Sequence, residues 1–303
     1  MVEYRRDALV WETARASLAC IRDVVRISRG DEDLLDAVIF TAALDANMVP
    51  VNRDPHLRVA YGGVELSAPD ELRRPVSINA VAQSLRLPFE TVRRRFLKMS
   101  RAGLCVIGPQ GVVIPRGAVT SKAYIAKQRA RYERTRVLHG ALKAVGALPD
   151  VSVTEASPPA EPLVRAANRA LSEYMLRACG DLVALTGDVM SSLVLLELVV
   201  ENTRELTAAE LADWTRDPEG VGRPIRIAGL AASLRFSGET IRRHLNTLEA
   251  LGFCRRTVGG LVAVAPAPAW PKLARLVEAN EANLQRLFAR LRELGILAAW
   301  DAG

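Results

Sequence analysis

Residues 74–105 read RPVSINAVAQSLRLPFETVRRRFLKMSRAGLC, and residues 223–254 read RPIRIAGLAASLRFSGETIRRHLNTLEALGFC. We call these stretches the first segment and the second segment. They align without a gap at an offset of 149 residues, and 13 of the 32 aligned positions are identical. Because self-similarity of this extent indicates a repeated structural unit, the sequence predicts one module that occurs twice in the chain.

Each segment has the pattern of two short helices and a hairpin. A short apolar strand (76–78 and 225–227) precedes a short helix (79–85 and 228–234), and a tight turn leads to a second helix. The second helix repeats apolar residues at helical spacing, and these are Val92, Phe96 and Met99 in the first segment and Ile241, Leu245 and Leu248 in the second. Gly103 and Gly252 end these helices. Two apolar strands then surround glycine-containing tips at 108–111 and 259–260, which predicts a winged helix-turn-helix.

The strings VAQSLRLPFETVRRRF and LAASLRFSGETIRRHL resemble the helix-turn-helix of bacterial winged-helix transcription regulators such as the MarR, IclR and GntR families. The resemblance covers about 40 residues in each half. Long helices that flank each segment are also similar to the MarR arrangement, in which such helices build a dimer interface. Motifs of this kind usually have glycine in the turn, whereas Arg86 and Arg235 occupy that place here. Each arginine has two interpretations, a phosphate contact or a solvated side chain.

The resemblance implies that the second helix of each segment enters the major groove of double-stranded DNA. The face opposite the apolar residues carries polar side chains, namely Glu90, Thr91, Arg93, Arg94 and Lys98 in the first segment and Glu239, Thr240, Arg242, Arg243 and Asn246 in the second. Arginine can bind guanine through two hydrogen bonds, and asparagine can bind adenine in the same way. These ten residues are therefore candidate DNA contacts, together with Arg86 and Arg235.

The two wings differ in charge. The second carries Arg255 and Arg256 where the first has Val106 and Ile107, and Gln110 is the long polar side chain at the first tip. We expect Arg255, Arg256 and Gln110 to contact phosphate or the minor groove.

The net charge of +7 is also unevenly distributed. Residues 1–150 carry +8 and residues 151–303 carry −1. Residues 116–143 contain eight basic residues and one acid, which fits either a solvated face or a contact with the DNA backbone or a partner protein.

The duplication extends over each whole half. Leu138, Leu142, Gly146 and Leu148 match Leu287, Leu291, Gly295 and Leu297 at the same offset. We predict a first winged-helix half at residues 1–148, a proline-rich linker at 149–162 and a second half at 163–303. The predicted fold is mainly α with small β-wings: two tandem winged helix-turn-helix domains, flanked by long helices, that form a pseudo-dimer.

Long helices open and close each half. After an amphipathic opening helix, a second helix is capped by Asp31 or Asp33 in one half and by Asp188 in the other, and runs to about Asn47 or Asn202. Closing helices are expected at 119–145 and 271–294. The second has a narrow apolar seam of Val277, Leu284, Leu287, Leu291 and Leu294, which suits one partner helix from the same chain or from a second subunit in a homodimer.

Several classes of protein do not fit the sequence. The amino terminus lacks a secretory pattern and the apolar stretch 193–200 is too short to cross a membrane, so we expect no membrane association and a cytoplasmic, nucleoid-associated location. Four dispersed cysteines and three dispersed histidines predict no disulfide framework, no metal site and no cofactor. Phosphate-cradling loops and nucleophile motifs are absent from the sequence, so we do not expect an enzyme.

The leading hypothesis is a sequence-specific transcription regulator with two non-identical reading heads on one chain. Its partners would be double-stranded DNA and a protein of the transcription machinery, and the sequence leaves room for a small-molecule effector without naming one. Two alternatives stay open: a replication initiator of the plasmid type, and an adaptor that uses winged helices to bind protein in a DNA-associated complex.

Overall fold

The computed structural model describes residues 2–148, 154–214 and 216–302. The first five residues of the predicted linker, 149–153, lie outside this described part. The described residues are mainly helical, and their strands form two antiparallel hairpins. The fold is therefore the predicted mixture of long helices and small β-hairpins.

The helices follow one another as α1 Val2–Arg29, α2 Leu34–Asn47, α3 Val49–Arg53, α4 Pro55–Ala60, α5 Ile78–Ser84, α6 Phe89–Arg101, α7 Lys122–Ala144, α8 Val164–Thr186, α9 Val189–Thr203, α10 Ala208–Trp214, α11 Pro218–Val221, α12 Ile227–Leu234, α13 Gly238–Ala250, α14 Trp270–Glu293 and α15 Ile296–Ala302. Strands β1 Val106–Gly108 and β2 Gly111–Val113 form one hairpin, and β3 Cys254–Thr257 and β4 Gly260–Ala263 form the other.

Two compact units share the chain. The first-segment unit consists of Asp23–Val137, Pro149–Gly180 and Ala282–Gly303, and the second-segment unit of Met1–Arg22, Leu138–Leu148 and Asp181–Glu281. Each unit thus contains most of the opening helix from the other half of the sequence. The predicted boundary at 149–162 divides the sequence into two contiguous halves, whereas the packing units are discontinuous along the chain. The boundary therefore stays a prediction.

In the second-segment unit, α12 and α13 pack against α9 and the β3–β4 hairpin. Ile241, Leu245 and Leu248 are fully buried, as their spacing predicts. The buried side chain of Asn202, at the end of α9, donates to the carbonyl oxygens of Arg223 and Leu261 and accepts from the amide of Ala263. Since all three partners lie beside or within the hairpin, Asn202 fixes the wing to α9.

The first-segment unit has the same arrangement of elements. Val92 and Phe96 of α6 are fully buried against α2 and α5. Asn47, at the end of α2, donates to the carbonyl oxygens of Arg74 and Val112 and accepts from the amide of Ile114. The three hydrogen bonds of Asn47 match those of Asn202, although the two residues stand 155 positions apart rather than 149.

The predicted strands need correction, whereas the predicted helix caps are confirmed. The strands expected at 76–78 and 225–227 reduce to single bridges, from Val76 to Val112 and from Ile225 to Leu261. Helices α5 and α12 begin at Ile78 and Ile227, which leaves no room for a longer strand. The cap of α2 is Asp33, whose carboxylate accepts from two backbone amides of the first turn, and the cap of α9 is Asp188.

The apolar seam on α14 is largely covered within the chain. Leu284, Leu287 and Leu291 are at most 2% exposed, and Leu294, just after the helix, is also buried. Because these side chains are already buried, the seam provides no argument for a homodimer.

Candidate nucleic-acid interface

The turn before α13 holds an arginine in an unusual backbone conformation. Arg235 has a φ of 51°, and Arg86 before α6 has a φ of 50°. This is the left-handed region that glycine adopts at low cost and that other residues rarely enter. The departure from glycine thus leaves the usual turn in place, with an exposed arginine side chain at its tip.

After this turn, α13 begins with a side-chain cap. The hydroxyl of Ser237 accepts from the amide of Thr240 at 3.1 Å and lies 2.9 Å from the hydroxyl of Thr240. Thr240 is therefore occupied with the start of the helix. The side chains of Glu239 and Arg242 are 84% and 58% exposed, and Arg243 and Asn246 are exposed beside them. Four of the five predicted contacts on α13 thus form one solvent-facing surface.

The arginines of the second wing make ion pairs on the protein. Arg256 Nε lies 2.8 Å from Glu249 Oε1, and Arg256 Nη2 donates to Asn246 Oδ1 at 3.2 Å. Arg255 pairs with Glu219. Arg256 thus links the wing to the exposed face of α13, and both arginines stay largely exposed.

His244 on α13 faces inward. It is buried, its Nδ1 lies 3.0 Å from Ser191 Oγ, and Asp188 Oδ1 lies 3.7 Å away. Burial lowers the pKa of His244, and the nearby carboxylate of Asp188 opposes part of that change. His244 therefore connects α13 to the capped start of α9.

Residues 223–267 match the DeoR-like helix-turn-helix domain. No curated protein and no solved structure matches the chain. The match covers the second segment with its wing, and it supports a winged helix-turn-helix that binds DNA. The matching family is DeoR-like and not one of the three families named from the sequence. A DeoR-like domain suggests a DNA-binding transcription regulator rather than an enzyme.

We call residues 223–267 the DeoR-like domain. The candidate residues of the first segment lie on α6, as those of the DeoR-like domain lie on α13, but their ion pairs are shorter. Glu90 accepts from Arg93 Nε at 2.7 Å and from Arg94 Nε at 3.0 Å. These hydrogen bonds lower the pKa of Glu90 to about 2. Thr91 is half-buried, whereas the Arg94 side chain is 76% exposed. The surface at the start of α6 is therefore an arginine pair around one carboxylate.

Lys98, also predicted as a DNA contact, extends toward α2. Its Nζ lies 2.6 Å from Asp36 Oδ2, and Arg95 Nη1 lies 2.8 Å from Asp36 Oδ1. Arg95 also pairs with Asp33, the cap of α2. Arg95 thus takes the place that His244 has in the DeoR-like domain, against the start of the preceding helix. A comparison of the two segments position by position was the signal that could have revealed this contact.

The first wing is apolar at its surface. Gln110 is exposed at the tip, as predicted, and Val106 and Ile107 of β1 are 57% and 36% exposed. In the DeoR-like domain, Arg255 and Arg256 occupy the equivalent strand. The two wings therefore present different chemistry to whatever they contact.

Intrachain contacts account for much of the basic run 116–143. Ion pairs join Lys127 to Glu32, Arg129 to Glu65, Arg134 to Asp23 and Arg136 to Glu133. Arg131 is buried. Four of the eight basic residues in this run are thus paired within the chain.

The described residues also bear on the other classes of site. They contain no group of three or more histidine, cysteine, aspartate or glutamate side chains that could hold a metal ion. No single helix among them has the length and hydropathy of a membrane span; α8 and α9 reach that hydropathy only as a bent pair.

Proposed function

We propose that the chain is a sequence-specific DNA-binding transcription regulator with two non-identical winged-helix reading heads, one in each segment. The DeoR-like match covers the second segment and its wing. Treating the first segment as a second head rests on the sequence repeat and on the structural features that the two segments share.

Four shared features support a second head. Both turns hold an arginine at positive φ, and both units fix the wing with a buried asparagine. Cys105 donates to the carbonyl oxygen of Phe96, and Cys254 donates to that of Leu245. An inward side chain, Arg95 or His244, joins each second helix to the cap of the helix before it. The agreement of these four features at equivalent positions supports the same module in both segments.

The proposal rests on the exposed arginines at the start of α6 and α13. Arg94 and Arg242 project from the face opposite the buried residues, where a helix in the major groove meets base edges. Each good bidentate pair with a base contributes roughly 1 to 3 kcal/mol of discrimination. Because Asn246 and the arginine wing occur only in the second segment, the two heads should prefer different half-sites.

A binding assay tests the proposal. Fluorescence anisotropy on fragments of the source genome should show tight binding, with affinity that falls steeply as salt rises. Arg242→Ala/Arg243→Ala and Arg93→Ala/Arg94→Ala should each weaken specific binding at least tenfold. Arg53→Ala/Arg204→Ala removes two exposed arginines outside the two segments and is the charge-matched control. Equal losses in all three variants would show that only net charge matters.

An adaptor role for the first segment has one supporting observation, the exposed Val106 and Ile107 on its wing. In that case Arg93→Ala/Arg94→Ala would leave DNA affinity intact, while Arg242→Ala/Arg243→Ala would abolish it.

A further inference from the structure

The first-segment unit contains a partly open cavity of about 160 Å³ between α2, α7 and α8. Phe40, Leu44 and Met48 of α2 form an apolar wall. The ring of Tyr124 on α7 lies 6.2 Å from that of Phe40, centroid to centroid. A cavity of about 150 Å³ in a protein core is large enough to hold a benzene ring. The cavity is therefore large enough for a ligand whose apolar part is one six-membered ring.

Four arginines also line the cavity: Arg73, Arg131, Arg165 and Arg169. Arg73 and Arg131 are only 5% and 6% exposed. Burial lowers the pKa of all four guanidinium groups. The charges of Arg73, Arg131 and Arg165 each act on the phenol of Tyr124, so these three side chains converge around one point of the wall.

The neutralising groups in the cavity are few. Lys127 and Glu32 on the lining pair with each other at 2.8 Å. Asp45 is the other acid on the lining; burial raises its pKa to about 7, and the charge of Glu173 adds to this effect. Arg165 and Arg169 donate to backbone carbonyl oxygens, which carry no net charge. Arg73 Nε lies 3.1 Å from Asp70 Oδ1, a carboxylate outside the lining. The remaining arginines keep positive charge in excess in a place where unneutralised charge is costly.

Several buried polar atoms on the lining have no hydrogen-bond partner among the described residues. They include the donors Arg73 Nη1 and Arg131 Nε. Arg131 is held in place by one bond, from Nη2 to Ser172 Oγ at 2.7 Å. Since buried donors in proteins are nearly always satisfied, unpartnered donors that line a cavity point to a bound acceptor.

The second-segment unit shows that the fold does not require these charges. Asn280 donates to Ser17 there, at the positions that Arg131 and Ser172 occupy in the first-segment unit. Leu273 and Val277 stand at the positions of Tyr124 and Gln128, at the 149-residue offset of the two segments. Val200 stands at the position of Asp45, at the 155-residue offset that also relates Asn47 to Asn202. The second-segment unit is therefore built with neutral residues at these positions.

We propose that this cavity binds a small organic anion, a carboxylate or phosphate on an apolar body the size of one six-membered ring. The anionic oxygens would accept from Arg73 and Arg131, and the body would pack on Phe40 and Leu44.

An effect on DNA follows from α2 and rests on the proposed function. The same helix holds Arg95 through Asp36 and the wing through Asn47. A ligand that moves α2 would therefore move the first reading head.

Calorimetric titration of the full chain with benzoate, phenyl phosphate and neutral benzamide tests the proposal. We expect one site per chain for benzoate, phenyl phosphate or both, and benzamide weaker by at least tenfold. The preferred anion tells a carboxylate site from a phosphate site. Equal binding of benzamide, or no binding of either anion, would overturn the proposal.

Variants locate the site. Arg131→Gln should weaken anion binding at least tenfold, whereas Arg136→Gln, an exposed position on the same helix, should leave it unchanged. Asp45→Asn should strengthen binding, because it removes the acid that repels an anion, and this gain does not depend on the folding of Arg131→Gln. Unchanged affinity in Arg131→Gln and Asp45→Asn would place the anion elsewhere. Binding without an effect on DNA would contradict only the coupling through α2.

Discussion

The imidazole Nδ1 of His244 lies 3.0 Å from the hydroxyl oxygen of Ser191, and this contact joins the second helix of the DeoR-like domain to the start of α9. Asp36 and Arg95 make the equivalent contact in the first-segment unit. One unit thus uses a titratable histidine where the other uses an arginine that stays charged. The two units should therefore respond differently to mild acid.

His244 predicts a loss of stability in acid. Its pKa is lowered in the folded protein relative to the ordinary value of 6.5, so the unfolded chain binds the proton more readily. The contribution of His244 to stability is complete above pH 6.5 and is lost as the pH falls through the lower, folded pKa. Denaturant unfolding at pH 7.5 and 5.5 should show a smaller drop for His244→Gln than for the wild type. An equal drop in both proteins would contradict this prediction.

Asn202 predicts a large effect on stability. Asn202→Leu removes the side-chain partner of the Arg223 carbonyl oxygen and of the Ala263 amide, whereas the Leu261 carbonyl oxygen keeps the hydrogen bond from the Ile225 amide. Unsatisfied buried groups cost roughly 1 to 3 kcal/mol each. We expect the free energy of unfolding of the second-segment unit to fall by about 3 kcal/mol or more. Asn47→Leu should do the same in the first-segment unit. Urea unfolding measures both, and a change below about 1 kcal/mol would show that the wing is held by its apolar contacts alone.

Arg86 allows stability to be separated from DNA contact. Its φ of 50° disfavours a side chain, so Arg86→Gly should leave the free energy of unfolding unchanged or raise it by up to about 1 kcal/mol. If the guanidinium binds phosphate, the same change lowers DNA affinity for all sequences and reduces the salt slope by about one. Thermal unfolding and anisotropy titrations distinguish the effects. Unchanged DNA affinity would mean that Arg86 is only solvated.

Glu90 restrains two arginines in the free protein. Glu90→Gln removes its charge and should raise affinity for non-specific DNA several-fold at low salt, because Arg93 and Arg94 become free to meet phosphates. Glu239→Gln is the matched control in the other head; Glu239 contacts Arg242 at 3.5 Å, so its effect should be smaller. Titrations on random-sequence DNA check both variants. A larger gain for Glu239→Gln would reverse the assignment.

The sequence predicted those elements whose burial pattern is local. Val92 and Ile241 lie on regular apolar faces, and both are buried in the structure. Asp188 directly precedes the helix that it caps, as predicted. The strand expected at 76–78 was wrong because the helix cap at Ser77 starts α5 at once. Apolar spacing cannot distinguish a single bridge from a strand.

What the sequence left out depends on distant partners. Amphipathic spacing shows that α1 and α8 have a buried face, but it does not say which unit covers that face. Arg131 reads as one more charge in a basic run, because its partner Ser172 is 41 residues away. The residues that line the arginine-rich cavity likewise come from separate helices and loops. The cavity therefore has no local sequence motif.

We propose that one chain reads DNA with two different heads. Selection of bound sites from a random DNA library, followed by sequencing, tests it most directly when the wild type is compared with Arg93→Ala/Arg94→Ala and Arg242→Ala/Arg243→Ala. We predict an asymmetric two-part site, with each variant losing sequence preference in a different part. A perfect palindrome bound by one chain, or a variant pair that loses the same part of the site, would contradict the account.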